Sequence, residues 1–142
     1  MHAAADEVRF ANGIVAGPGA SQVIVAESFA LALTLFDVAP DLSLTNPRLF
    51  AQLAFGPDGL TMDTEGCAWV ADPTAKRVVR VAEGGHELQS IAFEQSCLSV
   101  VLGGHDLRTL YVCTTDFTDP EQSRRSRGSR IETVRVDVPG VA

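Results

Sequence analysis

The sequence predicts an all-β fold made of three repeated units of the β-propeller blade type. The first observation is that apolar residues come in runs of four to eight, rich in Val, Ile, Leu and aromatics and interrupted by Gly, Pro and Asp. Such runs are typical of short strands. The second observation is an internal repeat, in which Val25, Val70 and Val112 occupy equivalent positions 45 and 42 residues apart. A period in the forties with about four strands per unit indicates propeller blades.

Each unit begins with two strands that are joined by a turn containing glycine. The predicted pairs are Ile14–Ala16 with Val23–Ala26, Leu60–Met62 with Ala68–Ala71, and Ser99–Leu102 with Leu110–Cys113. A third strand follows in each unit, at Leu31–Val38, Lys76–Ala82 and Ile131–Val138.

A fourth, outer strand is predicted only for the first two units, at Arg48–Leu53 and Glu87–Phe93. No fourth strand is predicted for the third unit. However, EVRF (Glu7–Phe10) precedes the first unit and could be an outer strand that belongs to none of the blades predicted so far. Propellers usually close their ring by pairing the two chain ends within one blade, so this segment is a candidate for the missing strand.

We therefore predict one half-propeller domain over residues 1–142. Its blades cover about 12–53, 58–93 and 97–138, with residues 7–10 as a ring-closing outer strand. An ordinary β-sandwich, in which the hairpins are similar by accident, is the alternative.

Composition excludes several classes of function. The net charge of −7 argues against a nucleic-acid partner, because neutralising phosphates needs a basic face. No apolar run approaches the ~20 residues that cross a bilayer, and MHAAADEVRF lacks the basic head and apolar middle of a signal peptide. We therefore expect a cytoplasmic protein without a membrane partner. Three cysteines without metal-finger spacing (Cys67, Cys97 and Cys113) are expected to be reduced thiols, mostly buried.

The repeat places three residues at one equivalent position just before the innermost strands, namely Asn12, Asp58 and Cys97. Innermost strands line the central channel, so these side chains are expected to converge on one axis. Asn and Asp offer hard oxygen donors that suit Ca²⁺, Mg²⁺ or Mn²⁺, and less selectively Zn²⁺. NG and PDG are also common turn sequences that backbone geometry alone can explain. Cys97 is expected to fill the channel rather than to act as a nucleophile, because the repeat places no His to activate it.

The segment Thr114–Arg130 is a long polar loop that holds four of the eleven basic residues. One interpretation is a solvated insert. The other is a lid, because connections between second and third strands lie on the face where innermost strands begin. In that case Arg124, Arg125 or Arg127 would meet an anionic substrate.

Six phrases of the sequence are informative together: FANGIVAGPG, VAESFALALTLFDV, GPDGLTMDTEGCAWVADP, RVVRVAEGG, LGGHDLRTLYVCTT and IETVRVDVPG. In this order they resemble the C-terminal half of the senescence-marker-protein / gluconolactonase / luciferin-regenerating-enzyme family, which includes regucalcin and bacterial sugar lactonases. The resemblance implies half of a six-bladed β-propeller with a divalent metal in the channel. It also implies hydrolysis of lactones, and some relatives cleave organophosphates.

The resemblance further implies metal ligands. Asn12 of FANG and Asp58 of GPDG match two family ligands, whereas the family's N-terminal Glu has no counterpart. We expect one divalent metal, with Ca²⁺ slightly favoured over Mg²⁺, Mn²⁺ and Zn²⁺. It would polarise a lactone carbonyl and lower the pKa of a bound water, and Asp58 would serve as ligand and base.

Three blades leave sheet faces open, so we expect a second half. In the preferred hypothesis two copies form a six-bladed homodimer, which brings two Asn12 and two Asp58 around its two-fold axis and hydrolyses a lactone or related ester. In the second hypothesis, the N-terminal blades and the missing Glu come from a separate chain or from the removed N-terminal part of a longer chain. In the third, the protein is a binding or scaffold propeller without chemistry.

Overall fold

The strands form three antiparallel sheets in a computed structural model that describes residues 2–19, 21–116 and 119–141. We call the sheets blades 1, 2 and 3. Blade 1 contains β1 (Ala11–Ala16), β2 (Gln22–Glu27), β3 (Ala32–Val38) and β4 (Leu44–Gln52), with a 3-10 turn at Ser28–Ala30. Blade 2 contains β5 (Leu60–Met62), β6 (Ala68–Asp72), β7 (Arg77–Val81) and β8 (Glu87–Ala92). Blade 3 contains β9 (Ser96–Gly103), β10 (Thr109–Thr115) and β11 (Arg130–Arg135), with helix α1 (Pro120–Arg125) between the last two. The all-β prediction is confirmed.

The strand registers reproduce the repeat that the sequence predicts. The first two strands of each blade pair at equivalent residues: Ile14 with Val25, Leu60 with Val70, and Val100 with Val112. In each blade these strands are followed by an antiparallel third strand, and blades 1 and 2 add a fourth. No helix in the described part of the chain is long and apolar enough to span a bilayer.

The blades pack face to face through two apolar layers. Successive residues of a strand point to opposite faces, so in β6 Val70 faces blade 1 while Trp69 faces blade 3. The layer between blades 1 and 2 includes Ile24, Leu33, Phe50, Leu60 and Val79. The layer between blades 2 and 3 includes Val78, Leu102, Leu110 and Val112 around Trp69, which is 1% exposed. Blade 2 is therefore buried on both faces.

The innermost strands β1, β5 and β9 lie side by side, as they do around a propeller axis. Two glycines allow this close approach. A Cβ on Gly13 would lie 2.6 Å from the backbone oxygen of Asp58 and 2.9 Å from Gly59 Cα. A Cβ on Gly59 would lie 2.7 Å from Ser99 Cα and 3.0 Å from Leu98 O. The same contact is thus repeated one blade further on. We call the end of the blades where β1, β5 and β9 begin the upper face, and the opposite end the lower face.

The predicted strand at Glu7–Phe10 is not formed in this chain. Glu7 and Phe10 have φ angles of 62° and 59°, in the left-handed region that extended backbone does not enter. A ring-closing outer strand would pair along β11, and in this chain the segment lies on blade 1 instead.

The N-terminal segment, which we define as residues 4–10, lies across the face of blade 1 that points away from blade 2. At one end the amide of Leu44 donates to Ala4 O at 2.7 Å. At the other end the amide of Arg9 donates to Glu27 Oε2 at 2.7 Å. Two apolar side chains of this face are only 5% exposed, Val25 and Phe36. The segment thus shields a sheet face that carries no further blade among the described residues.

At the lower face the C-terminal residues return towards the innermost strands. The third strand of blade 3 ends at Arg135 rather than at Val138. The amide of Gly140 donates to Leu107 O at 2.8 Å, and the amide of Thr64 donates to Pro139 O at 2.9 Å. Beside them lies a shallow cavity of about 260 Å³, lined by Gly17, Pro18, Asp63, Thr64, Gly66 and Val141.

A buried ion pair stabilises the lower end of blade 2. The side chain of Asp63 is 0% exposed and accepts from Arg80 Nε at 2.7 Å. It also accepts from the backbone amides of Glu65 and Cys67 at 2.9 and 3.1 Å. The other end of the Arg80 guanidinium, Nη2, lies 2.7 Å from Glu65 Oε2. All of this carboxylate's partners lie within blade 2, so its role is structural.

Candidate functional site

Asn12 and Asp58 lie together at the upper face, where β1 and β5 begin. The amide of Asp58 donates to Ala71 O at 3.1 Å, which fixes the turn before β5 against β6. Ser28 connects the two blades, because its hydroxyl donates to Pro57 O at 2.7 Å and accepts from Asn12 Nδ2 at 3.4 Å. The predicted convergence of these two side chains is therefore present in the structure.

Burial raises the pKa of the Asp58 carboxyl group above its ordinary value. A hydrogen bond from the Asn12 side chain acts in the opposite direction, by favouring the ionised form, but does not cancel the effect of burial on the pKa. A cation beside this carboxylate would favour its ionised form much more strongly. Asp58 is therefore a carboxylate with a physical reason to bind a positive charge.

We expect Asp58→Asn to raise the free energy of unfolding at about pH 7. Because the folded-state pKa is raised, the contribution of Asp58 to stability is present below its unfolded pKa and is lost as the pH rises through the folded value. Asn carries no charge at either pH, so the gain over wild type should vanish at about pH 3. Urea unfolding at both pH values measures the difference.

Asp41→Asn is the matched control, because hydrogen bonds from the Ser43 hydroxyl and amide lower the pKa of the exposed Asp41 carboxyl group. Its replacement should not stabilise the protein at about pH 7. Equal or lower stability of Asp58→Asn at that pH would contradict the assigned environment of Asp58.

The donor set of Asn12 and Asp58 fits part of a site for a hard divalent cation. The side chain of Asp58 is half-buried and that of Asn12 is exposed, and both offer oxygen ligands. Calcium takes about six to eight oxygen ligands. Over residues 2–19, 21–116 and 119–141, no group of three or more His, Cys, Asp or Glu is arranged to hold a metal ion. Asn12 and Asp58 thus offer two of the oxygen donors that such a site needs, and by themselves they do not make up a metal site.

The prediction that Cys97 is equivalent to Asn12 and Asp58 is wrong by one residue. The pairing of β9 with β10 shifts register between Cys113 and Thr114. The backbone of Gly59 approaches Leu98 O in the way that Gly13 approaches Asp58 O, so Leu98 holds the equivalent position in blade 3. Blade 3 therefore places an apolar side chain where the other two blades place oxygen donors.

Cys97 itself belongs to the core between blades 2 and 3. It is 0% exposed and packs in the apolar layer that contains Trp69. Burial, with smaller contributions from Glu132 and Asp72, raises the pKa of its thiol to about 12. A thiol that stays protonated at neutral pH is a poor nucleophile, so Cys97 fills the core rather than the channel.

The long loop of blade 3 lies on the upper face, since it connects the end of β10 to the start of β11. Three of its residues were predicted to bind substrate, and all three are exposed: Arg124, Arg125 and Arg127. Arg125 Nη2 forms an exposed ion pair with Glu121 Oε2 at 3.3 Å. Phe117 and Thr118 of the predicted loop lie outside the described residues. The lid hypothesis and contact with an anionic substrate both stay predictions.

Sequence reasoning missed two features beside Asn12. The first is Ser28, which follows β2 and positions the Asn12 amide. The second is a stack of Phe10 on Phe29, with ring centroids 4.5 Å apart and exposures of 57% and 75%. Phe29 directly follows Ser28 and Phe10 lies two residues before Asn12, and this proximity in sequence was the available signal.

Comparison with known proteins identifies the chain's relatives. Residues 1–116 match the sequence model of the SMP-30/Gluconolactonase/LRE-like region. The chain belongs to this family. Within it, the chain is 28% identical to 6-deoxy-6-sulfogluconolactonase from Pseudomonas putida over 145 residues, which cover 97% of this chain and 50% of that protein. It is 32% identical to regucalcin from Oryctolagus cuniculus over 129 residues, which cover 84% and 42%.

Superposition on a solved structure confirms the fold. Regucalcin from Agrobacterium tumefaciens, a calcium-binding protein, superposes with a TM-score of 0.73 at 18% identity over 92% of this chain and 47% of regucalcin. The chain spans about half the length of the curated relatives it matches. The predicted family and the predicted half of a β-propeller are therefore both confirmed.

Proposed function

We propose that Asn12 and Asp58 form one side of a divalent-metal site that hydrolyses a lactone or related ester. The observation that carries the proposal is the half-buried Asp58 carboxylate, whose pKa is raised, beside the Asn12 amide at the start of the innermost strands. Membership of the SMP-30/gluconolactonase family supports the reaction class. The name of the sulfogluconolactonase relative supports a lactone substrate, and the calcium-binding regucalcin makes Ca²⁺ the first cation to test.

The two residues have distinct roles in this proposal. Asn12 donates through Nδ2 to Ser28, which leaves Oδ1 available as a neutral oxygen ligand. Asp58 supplies a charged oxygen and accepts the proton of the attacking water. Water oxygen then bonds to the lactone carbonyl carbon, the ring C–O bond breaks, and the leaving alkoxide takes up the proton. A bound divalent metal supplies carbonyl polarisation and a lower pKa for the water.

A second candidate function is a metal-binding or scaffold propeller without catalysis. The specific observation in its favour is Leu98, which holds the blade 3 position equivalent to Asn12 and Asp58. A channel with one apolar sector and two oxygen donors can bind a cation without completing a catalytic site. Fold and family membership do not by themselves fix the chemistry.

Metal titration followed by a lactonase assay tests both candidates. Ca²⁺ at about 100 times its dissociation constant should stabilise the protein by about 2.7 kcal/mol, which raises Tm by roughly 5–10 °C. Asp58→Ala and Asn12→Ala should lose this shift, whereas the exposed control Asp41→Ala should keep it. Hydrolysis of gluconolactone, followed by acid release, should require the same metal and the same two side chains.

The outcomes separate the candidates. A Tm shift without hydrolysis favours the binding protein over the enzyme. If no cation among Ca²⁺, Mg²⁺, Mn²⁺ and Zn²⁺ raises Tm, the assignment of Asn12 and Asp58 as ligands is wrong. A cytoplasmic location and the lack of a nucleic-acid partner stay predictions from the sequence.

A further inference from the structure

Each blade has a forward face, which points towards the next blade in chain order, and in blades 1 and 2 that next blade covers it. In blade 1 this face carries Ile24, Ala26, Leu33 and Leu35, and in blade 2 the equivalent positions carry Trp69, Ala71, Val78 and Arg80. All eight residues, with backbone and side chain counted together, are 9% exposed or less. The forward face is thus a buried surface wherever a following blade is present.

Blade 3 exposes the same positions. Its register pairs Tyr111 with Thr133 and Cys113 with Ile131, in the way that β6 pairs with β7 in blade 2. Tyr111 is 36% exposed, Ile131 is 75% exposed, and Cys113 and Thr133 are also exposed. Val101, which lies opposite Tyr111, is 55% exposed. The forward face of blade 3 is therefore an apolar surface of the type that is buried twice elsewhere in the chain.

In this chain a forward face packs against the rear face of the following blade, which is the face that points towards the preceding blade. The rear face of blade 2 supplies Leu60, Ala68 and Val70. The rear face of blade 3 supplies Val100, Leu110 and Val112. The equivalent rear positions of blade 1 carry Ile14, Val23 and Val25, which are likewise small or branched apolar residues. Ile14 is 62% exposed, so this rear face is open next to the axis.

We propose that the forward face of blade 3 binds the rear face of blade 1 of a second copy of this chain. The contact continues the two blade–blade interfaces that the chain already contains. Three blades correspond to about half of regucalcin, so two copies of this chain supply about as many blades as one regucalcin chain. Two such contacts, one at each end of each copy, join the two copies into a closed ring with two-fold symmetry. The ring brings the partner's Asn12 and the partner's Asp58 to the same axis, although docking itself does not depend on a metal.

The N-terminal segment must move for this contact to form. It lies on the rear face of blade 1 and is held there by backbone hydrogen bonds at its ends, such as Leu44 to Ala4 and Phe29 to Arg9. Between these ends only Ala5 and Val8 of the segment are partly buried. Its release uncovers Val25 and Phe36 of blade 1, which the second copy would cover again. The segment is therefore a replaceable cover for the docking face.

Light scattering and thiol titration on the full chain, in the presence of a metal chelator, test the proposal. Cys113 lies on the proposed interface and is exposed in the single chain, whereas Cys67 and Cys97 are buried. We expect twice the chain mass of 15.1 kDa and loss of the fast reaction of Cys113 with Ellman's reagent. Ile131→Asp should give the single-chain mass and one fast thiol. Leu88→Asp, which removes an exposed apolar residue from β8 of the middle blade and so touches neither docking face, should leave the dimer intact.

Three results would overturn the proposal. One is a monomer at every concentration with one fast thiol. The second is a dimer in which Cys113 still reacts fast or which Ile131→Asp does not weaken, because another surface then holds the copies together. The third is an assembly larger than two, which means that the contact does not close. Each is read without metal, so it is distinguishable from failure of the proposed hydrolase.

Discussion

Arg80→Ala is expected to lower the free energy of unfolding by about 3–5 kcal/mol. The substitution leaves the carboxylate of Asp63, which is 0% exposed, without its counter-ion. The two backbone amides that still donate to Asp63 cannot neutralise a full charge in an apolar surrounding. The effect is large because the remaining partner is buried, and an ion pair that is intact is worth much less than this cost of breaking it.

Chemical denaturation of the variant measures this loss, with Arg48→Ala as the matched control. Arg48 pairs with Asp37 at 2.8 Å, but both side chains are more than a third exposed to solvent, so its removal should lower the free energy of unfolding far less than removal of Arg80. The double variant Arg80→Ala/Asp63→Ala should be less destabilised than the sum of its two single variants. A loss for Arg80→Ala as small as that of the control would contradict the burial of Asp63.

Gly13→Ala is expected to lower the free energy of unfolding by about 1–3 kcal/mol. The new methyl group would lie 2.6 Å from Asp58 O and 2.6 Å from Leu60 Cδ2, and a backbone oxygen has little freedom to move away. Relief of this contact separates β1 from β5, which also separates Asn12 from Asp58. The stabilisation by Ca²⁺ that follows from the proposed metal site should therefore fall together with the free energy of unfolding.

Thermal unfolding with and without Ca²⁺ measures both effects. Gly103→Ala is the control, because its methyl group would meet only the ring of the exposed Tyr111, at 3.3 Å. The control should unfold close to wild type. A Gly13→Ala protein with unchanged stability and unchanged metal response would show that β1 and β5 are not in close contact.

The fold was predictable because each blade contains the same alternation of buried residues. Val25, Val70 and Val112 repeat at nearly constant spacing, and each pairs with an equivalent residue of the innermost strand, namely Ile14, Leu60 and Val100. The adjacency of Asn12 and Asp58 follows from that regularity. Their role as metal ligands stays a proposal.

Where the prediction failed, local backbone geometry departs from the repeat. The register shift between Cys113 and Thr114 moves the start of β9 by one residue, and nothing in the residue pattern announces such an irregularity. The positive φ angles of Glu7 and Phe10 are equally invisible, because neither residue type favours them.

Helix α1 was not predicted, although the sequence contains the signals of a helix start. Asp119 precedes Pro120, and its carboxylate accepts from the amide of Gln122 at 2.9 Å. An Asp at the N-cap followed by Pro at the first helical position is a common helix start. The polar composition of the loop concealed this start.

The exposed C-terminal residues lie at the lower face, which makes them a suitable point for attaching the protein to a surface or a tag. Val141 is 62% exposed beside the lower cavity, at the opposite end of the blades from Asp58. An extension after it would leave the upper face open to solution. An extension before Ala4 would start on the rear face of blade 1, where Leu44 holds the chain. Immobilisation through the C-terminal end therefore leaves both the upper face and the rear face of blade 1 accessible.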